Sequence, residues 1–425
     1  MAGYYAGIDK RARGAWTVHH AQKTAATVHG PAEFSALDTA GKAASLLSQL
    51  AASDQTVLEK SRIDALARAA GLNVKLEVPG LLEILEGRRL ISRSSTGDVE
   101  ILGLTSHATV GYAADLFDDL DPTDEERASI ALAEVTSNAP QPAKLVTEFI
   151  ADEFTLSKAN LENVMERAEL FAFVDAEGAG EDKLYFNGNL FRRDNINKTS
   201  RVLASLSVGD SSLITTLDQM LASKGCMPVG DAENVLGRPL FEKLMAAGMY
   251  DVNMVANPSG EFGFVTRPSA FHKFNDPVAD DAFDLAKALV AALTFGMTQS
   301  AAGRGKIEMI DALLRKLIAG RIVGPATAIG EDYRVLEHKG VLKLSPGPSF
   351  GWMMKLLKRD VGEMALAVLT TGDTAADVVD RPLPGVLNGY SGPETTRTRF
   401  RQKAQTPPSR KHTFDVLSAL RTGGL

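Results

Sequence analysis

Short apolar arms around a polar, glycine-bearing turn recur along the chain at a near-constant interval. They are "LISRSSTGDVEIL" (90–102), "LFAFVDAEGAGEDKLYF" (170–186) and "MYDVNMVANPSGEFGFV" (249–265). Their turn glycines, Gly97, Gly178 and Gly260, stand 81 and 82 residues apart. A fourth polar turn, in "LKLSPGPSFGW", puts Gly347 87 residues further on. A repeat of this length is too large for a solenoid unit and the right size for a small domain. A chain of 425 residues is therefore expected to be an array of small domains, each closed by a hairpin.

What precedes each hairpin repeats as well. In the third unit, "DSSLITTLDQMLASKG" sets Leu213, Ile214, Leu217, Met220 and Leu221 on one helical face, with Asp210 as cap and Gly225 as stop. "MPVGDAENVLG" follows, and then "RPLFEKLMAAG", with Leu240, Leu244 and Met245 on one face and Gly248 at its exit. The second unit opens with "TDEERASIALAEVTS", where Thr123 precedes acids in the first turn. "AKLVTEFIADEF" comes next (Leu145, Val146, Phe149 and Ile150 inward), followed by "LSKANLENVMERAEL", capped by Ser157 and burying Leu161, Val164, Met165 and Ala168. In the first unit "GKAASLLSQLAA", "SRIDALARAAGLN" and "PGLLEILEGRR" give three helical pieces, the last framed by Pro79 and Gly87. The fourth unit offers "DDAFDLAKALVAALTFG", "KIEMIDALLRKLIAG", a weak third helix "DYRVLEHKG", and only one clear hairpin arm, "GVLKLSPG".

Three short helices followed by a two-stranded hairpin resemble the winged helix-turn-helix, a likeness of element order and spacing rather than of a motif. No helix here is long enough to hide its own apolar face, so three must pack together with the hairpin closing the core. The expected fold class is mainly α with small β-hairpins (α+β), as a tandem array of three or four winged-helix-like domains. The expected organisation is an N-terminal segment at 1–43, units at 44–106, 123–200, 206–270 and 280–347, and an acidic linker at 107–122. A helical C-terminal extension at 348–390 and a basic, flexible tail at 391–425 complete it. The resemblance implies a third helix that enters the major groove and a wing tip that reaches phosphates or the minor groove; members that bind protein use the same surfaces for a partner.

Charge decides where such surfaces are sought. The net charge of −7 argues against an indiscriminate polyanion binder but leaves room for a local basic surface. On the third helix of unit two, Lys158, Asn160, Asn163 and Arg167 lie between the buried positions, and Asn and Arg suit bidentate reading of adenine and guanine edges. Glu162 and Glu166 oppose them. After that wing, "FRRDNINKTSR" carries Arg192, Arg193, Lys198 and Arg201 among amides and hydroxyls, either a phosphate-positioning cluster or a solvated linker. The first wing carries Arg88, Arg89 and Arg93 as a phosphate clamp, although its helix also exposes Glu83 and Glu86. In unit three, Arg238 and Lys243 face Glu242. In unit four, Arg304, Lys306, Arg315, Lys316 and Arg321 lie on or beside one helix and Arg334, His338 and Lys339 follow; Lys306, Arg315 and Lys316 are either donors to DNA or, more commonly, the solvated face of an ordinary helix. The tail holds Arg397, Arg399, Arg401, Lys403, Arg410 and Lys411, and is either a solvated tail or an arm on nucleic acid. Conversely, the run from Asp115 to Glu126 is acidic and offers a surface to a basic protein partner.

Signs of catalysis are weak. "SAAGRGKIE" has Gly305 and Lys306, but Ser300 and Ile307 occupy positions where a phosphate loop needs Gly and Ser/Thr. No Gly-x-Ser-x-Gly elbow or His-Glu-x-x-His helix occurs. His19, His20 and His29 cluster, but in an extended segment the adjacent pair points to opposite faces, which is poor metal geometry. The lone Cys226, beside Met227 and Pro228, reads as a buried small residue and rules out a disulfide framework. With no apolar run of membrane-span length, the expectation is a cytoplasmic, non-enzymatic protein without metal or cofactor, compatible with homo-oligomers. Its expected partner is double-stranded DNA, as a prokaryotic transcriptional regulator or a component of DNA processing or defence. The alternative is an interaction scaffold whose winged helices bind protein partners.

Overall fold

The computed structural model describes residues 3–25, 30–53, 57–102, 106–191, 196–274 and 280–375. It is mainly helical, with four small antiparallel sheets of three strands each, an α+β architecture. Over the described residues the chain divides into two compact units, one within 1–136 and 141–187, the other within 137–140 and 188–375.

In the first unit, short helices α1 (Tyr4–Gly7) and α3 (Gly30–Glu33) flank α2 (Lys10–Ala25), which is followed by α4 (Ser35–Ala51). Strand β1 (Val57–Leu58), α5 (Lys60–Ala69), α6 (Val78–Gly87) and the hairpin β2 (Ile91–Arg93) and β3 (Val99–Ile101) complete the first repeat. α7 (Ser106–Asp119) intervenes. The second repeat runs α8 (Asp124–Asn138), β4 (Gln141–Pro142), α9 (Ala143–Phe154), α10 (Lys158–Leu170), β5 (Asp175–Glu177) and β6 (Leu184–Phe186). In the second unit, α11 (Ile196–Ala204) leads into α12 (Val208–Lys224), β7 (Met227–Pro228), α13 (Val229–Leu236), α14 (Arg238–Ala246) and the long hairpin β8 (Asp251–Asn257) and β9 (Gly260–Thr266). α15 (Pro268–His272), α16 (Asp280–Thr298) and α17 (Ala302–Gly305) then lead to α18 (Ile310–Ile318), β10 (Val323–Ala326), α19 (Thr327–Asp332), α20 (Arg334–His338), β11 (Leu342–Pro346), β12 (Trp352–Leu356) and the closing α21 (Arg359–Thr371).

The same order thus occurs four times: helix, short strand, two helices, hairpin. In every sheet the short strand pairs with the second hairpin arm, giving the orders β1-β3-β2, β4-β6-β5, β7-β9-β8 and β10-β12-β11. Gly97, Gly178 and Gly260 turn at φ of +90°, +81° and +139°, which a Cβ would resist; in the fourth hairpin Gly351, not Gly347, takes this role at φ +64°. Helix starts follow side-chain chemistry. Ser157 accepts a bond from the Asn160 amide, and Ser207 and Asp210 form a capping box, so Ser207, rather than Asp210, is the cap.

Several expected boundaries differ. Within 1–43, α2 and the first turns of α4 are core elements: Trp16, Val18 and Leu37 are fully buried. Residues 107–122 are not a linker, because α7 buries Val110, Ala113, Ala114 and Phe117 against α2 and α4. The fourth hairpin needs β12, so its unit extends past 347 into the stretch expected as a helical extension. Leu145 and Leu213, expected inside, are 57% and 40% exposed because α9 and α12 turn those faces outward. Residues 376–425, including the tail, lie outside the described residues. Among the described residues no helix is long and apolar enough to cross a membrane.

Candidate nucleic-acid interface

Most of the arginines expected to hold DNA in the first compact unit are already bound to carboxylates of the same chain. The Arg88 guanidinium bonds to Asp119 on α7 and reaches the Asp115 carbonyl at 3.5 Å. Arg93 Nε donates to Glu86 at 2.7 Å. On α10, Arg167 pairs with Glu33 at 3.3 Å, and Lys158 lies 4.0 Å from Glu162. Arg89 is exposed at φ +58° and has no such partner. Of the α10 residues expected to read bases, Lys158 and Asn160 are exposed, Asn163 is half-buried and Arg167 is tied back. Lys198 and Arg201 are exposed on α11, in the other compact unit. Arg192, Arg193, Arg397, Arg399, Arg401, Lys403, Arg410 and Lys411 lie outside the described residues.

Part of the acidic stretch is committed too. Asp115 pairs with Lys10 and Asp118 with Arg13, both at 2.7 Å. Glu126 is 2% exposed. Its Oε1 accepts from the Ala36 and Leu37 amides at 2.8 and 3.1 Å, capping α4, while Oε2 accepts from the Thr123 amide at 3.0 Å. The far end of the run stays open: Asp121 and Asp124 are exposed and share only Arg127, at 3.9 and 3.3 Å.

The fourth sheet behaves differently. Leu342, Leu344, Met354 and Leu356 point into the core, so the residues between them point outward. The register sets Lys343 directly opposite Lys355, both exposed. Like charges facing across antiparallel strands repel and raise the local potential toward anions. No Asp or Glu occurs from His338 to Arg359, whereas Lys339, Lys343, Lys355, Lys358 and Arg359 do. Arg359 is held by Glu363 at 2.8 Å. The side chains of Lys339, Lys343, Lys355 and Lys358, and those of Arg315, Lys316 and Arg321 on and after α18, make no ion pair or hydrogen bond among the described residues. At the turn, the Gly347 amide donates to the Gly351 carbonyl at 2.9 Å, and Phe350 stands 65% exposed. Arg334 holds α20 to the sheet, its guanidinium 4.9 Å from the Trp352 ring and its Nε donating to the Gly330 carbonyl at 2.8 Å. The sequence offered the turn and first arm of this hairpin but not its second, because "WMMKL" lacks alternation; the acid-free run was the signal that marked it.

The histidine pair also differs from expectation. It lies on helix α2, not in an extended segment, and both rings are buried. His20 Nε2–H donates to the Ser129 carbonyl at 3.3 Å, so its bare Nδ1 accepts from His19 Nδ1 at 3.3 Å. The His20 ring stacks on Phe173 at 3.9 Å. Burial, the larger cause, and Lys23 push its pKa down to about 3. His29 lies outside the described residues. Cys226 is buried, and burial raises its thiol to about 12. Among the described residues no group of His, Cys, Asp and Glu is placed to hold a metal ion.

In comparisons with known proteins, no family model, curated protein or solved structure matches the chain.

Proposed function

We propose that the protein is a non-enzymatic binder of double-stranded DNA, built from four winged-helix-like modules, in which the fourth wing supplies the main phosphate contact. The observation that carries this reading is the Lys343–Lys355 opposition on an acid-free hairpin whose lysines have no internal partners. Like-charge opposition is unfavourable for folding and becomes favourable when a phosphate lies between the two ammonium groups. Phe350 at the turn gives the wing an apolar tip of the kind that wedges into a minor groove. The repeated order of helix, short strand, two helices and hairpin, with the short strand paired to the last, supports the winged-helix assignment. The basic tail and the Arg192–Arg193 pair add to the same reading from sequence alone.

The first module fits a different role. Its Arg88 and Arg93 are neutralised by Asp119 and Glu86, which favours packing or protein contact over DNA for that wing.

The test is fluorescence anisotropy of the full chain with labelled mixed-sequence duplex across a salt series. Binding is expected, with log K falling by about 0.9 per log unit of salt for each phosphate contacted. Lys343→Glu with Lys355→Glu is expected to weaken binding and flatten the slope by about two contacts, while Arg93→Glu changes neither. Absence of binding at low salt, or unchanged binding by the double variant, would sink the proposal.

A further inference from the structure

A cleft of about 680 Å³ opens in the second compact unit, within the size range of small-molecule sites. Four elements contribute polar side chains to it: Thr199 from α11, Asp251 and Asn253 from β8, His272 at the end of α15, and Asp284 and Lys287 from α16. Met245 and Phe191 add apolar wall.

The hydrogen-bonding balance of this lining is lopsided. Lys287 is 6% exposed, and its ammonium donates to Asp251 at 2.7 Å and to Asp284 at 3.4 Å. One cation between two carboxylates leaves an excess negative charge. Thr199 has spent its hydroxyl proton on the Ala247 carbonyl at 2.8 Å, and Asn253 has spent an amide N–H on Thr266 at 3.1 Å. Burial first, and Lys287 beside it second, push His272 down to about 4, so it is neutral at pH 7. The second carboxylate oxygens of Asp251 and Asp284 have no hydrogen-bond partner among the described residues. Lys287 and Asn253 each keep one N–H, so what distinguishes the cleft is charge: two carboxylates face one ammonium, and their second oxygens call for donors and positive charge.

We propose that this cleft binds a small organic cation bearing several N–H groups, an amine or guanidinium whose charged end meets Asp251 and Asp284 and whose alkyl body lies along Met245 and Phe191. The volume is far larger than a bare metal ion needs, and no metal-holding group is present among the described residues.

Isothermal titration of the full chain without DNA tests this, using agmatine and putrescine as probes and glutamate as the anionic control. A saturable site for at least one of the two cations, and none for glutamate, is expected. Asp284, 72% exposed at its side chain, can be neutralised without threatening the fold. Asp284→Asn is expected to weaken the cation about tenfold with an unchanged melting temperature. Thr199→Val serves as a second variant, removing an acceptor without altering charge, and is expected to weaken binding less. No saturable heat from either cation, or equal binding by wild type and Asp284→Asn, would overturn the proposal. DNA is absent from the experiment, so its result is separate from the DNA-binding reading.

Discussion

Asn257 Nδ2 donates to Asp332 Oδ1 at 2.9 Å, tying the end of β8 in the third hairpin to the last residue of α19. Arg304 donates to the same oxygen at 2.8 Å, and the Asp332 side chain is fully buried, with Oδ2 left without a partner. The third and fourth repeats are therefore joined by a buried polar junction rather than by a flexible connection. Asn257→Ala leaves that buried carboxylate with one donor fewer, and the expected cost is about 1–3 kcal/mol. Urea denaturation checks it: the midpoint should fall with the slope unchanged.

On the proposed reading, Lys343 and Lys355 of the fourth hairpin make stability and DNA binding move in opposite directions. Lys343→Glu replaces a repelling cross-strand pair with an attracting one, an expected gain of about 0.2–1 kcal/mol. On the proposed DNA-binding reading, the same change is expected to remove a phosphate contact and weaken DNA binding. Adding Lys355→Glu restores like charges, so stability should return toward that of the wild type while affinity falls again. A melting series read beside anisotropy on the single and double variants distinguishes this from general unfolding, which would lower both together.

Gly330 sits where no side chain fits. A Cβ there would lie 2.2 Å from Trp352 Cδ1, on the ring that Arg334 covers from the other helix. Gly330→Ala must push the indole aside and break its stacking with Arg334, which is expected to cost about 1–3 kcal/mol. Trp352 fluorescence should shift on folding-competent variant protein. An unchanged midpoint and spectrum would show that the indole has room the packing does not display.

The hairpins were legible because their turns need glycine and their arms differ sharply from the helices around them. The first strand of each sheet was not, since a pair such as Val57–Leu58 or Met227–Pro228 is too short to show a period. α2 escaped for the opposite reason. Gly14 to Ala21 is buried without a break, so no polar face alternates with an apolar one. The first candidate site misled because charge in a sequence says nothing of its partner: Arg88 and Asp119 are 31 residues apart. Only the second arm of the fourth hairpin was passed over, because the outward positions Met353 and Leu357 are apolar, which hid Lys355 as part of a strand.

The buried His20 and the half-buried His272 set an acid limit on the fold. His20 is held down to about 3 and His272 to about 4, both below the ordinary value of 6.5, with burial the leading cause. Below pH 6.5 the unfolded chain takes up protons at these positions and the folded chain does not. Stability contributed by the neutral rings is thus intact above about pH 6.5, falls as pH drops, and stops falling once each folded value is passed. The slope contributed by each ring is at most about 1.4 kcal/mol per pH unit. His20→Phe keeps a ring stacked on Phe173 and removes one titrating group, so its stability should fall less steeply from pH 6.5 to 4 than that of the wild type. Urea midpoints at several pH values across that window measure both slopes. Parallel slopes would mean that His20 takes up its proton equally in both states, and that its ring is open to solvent.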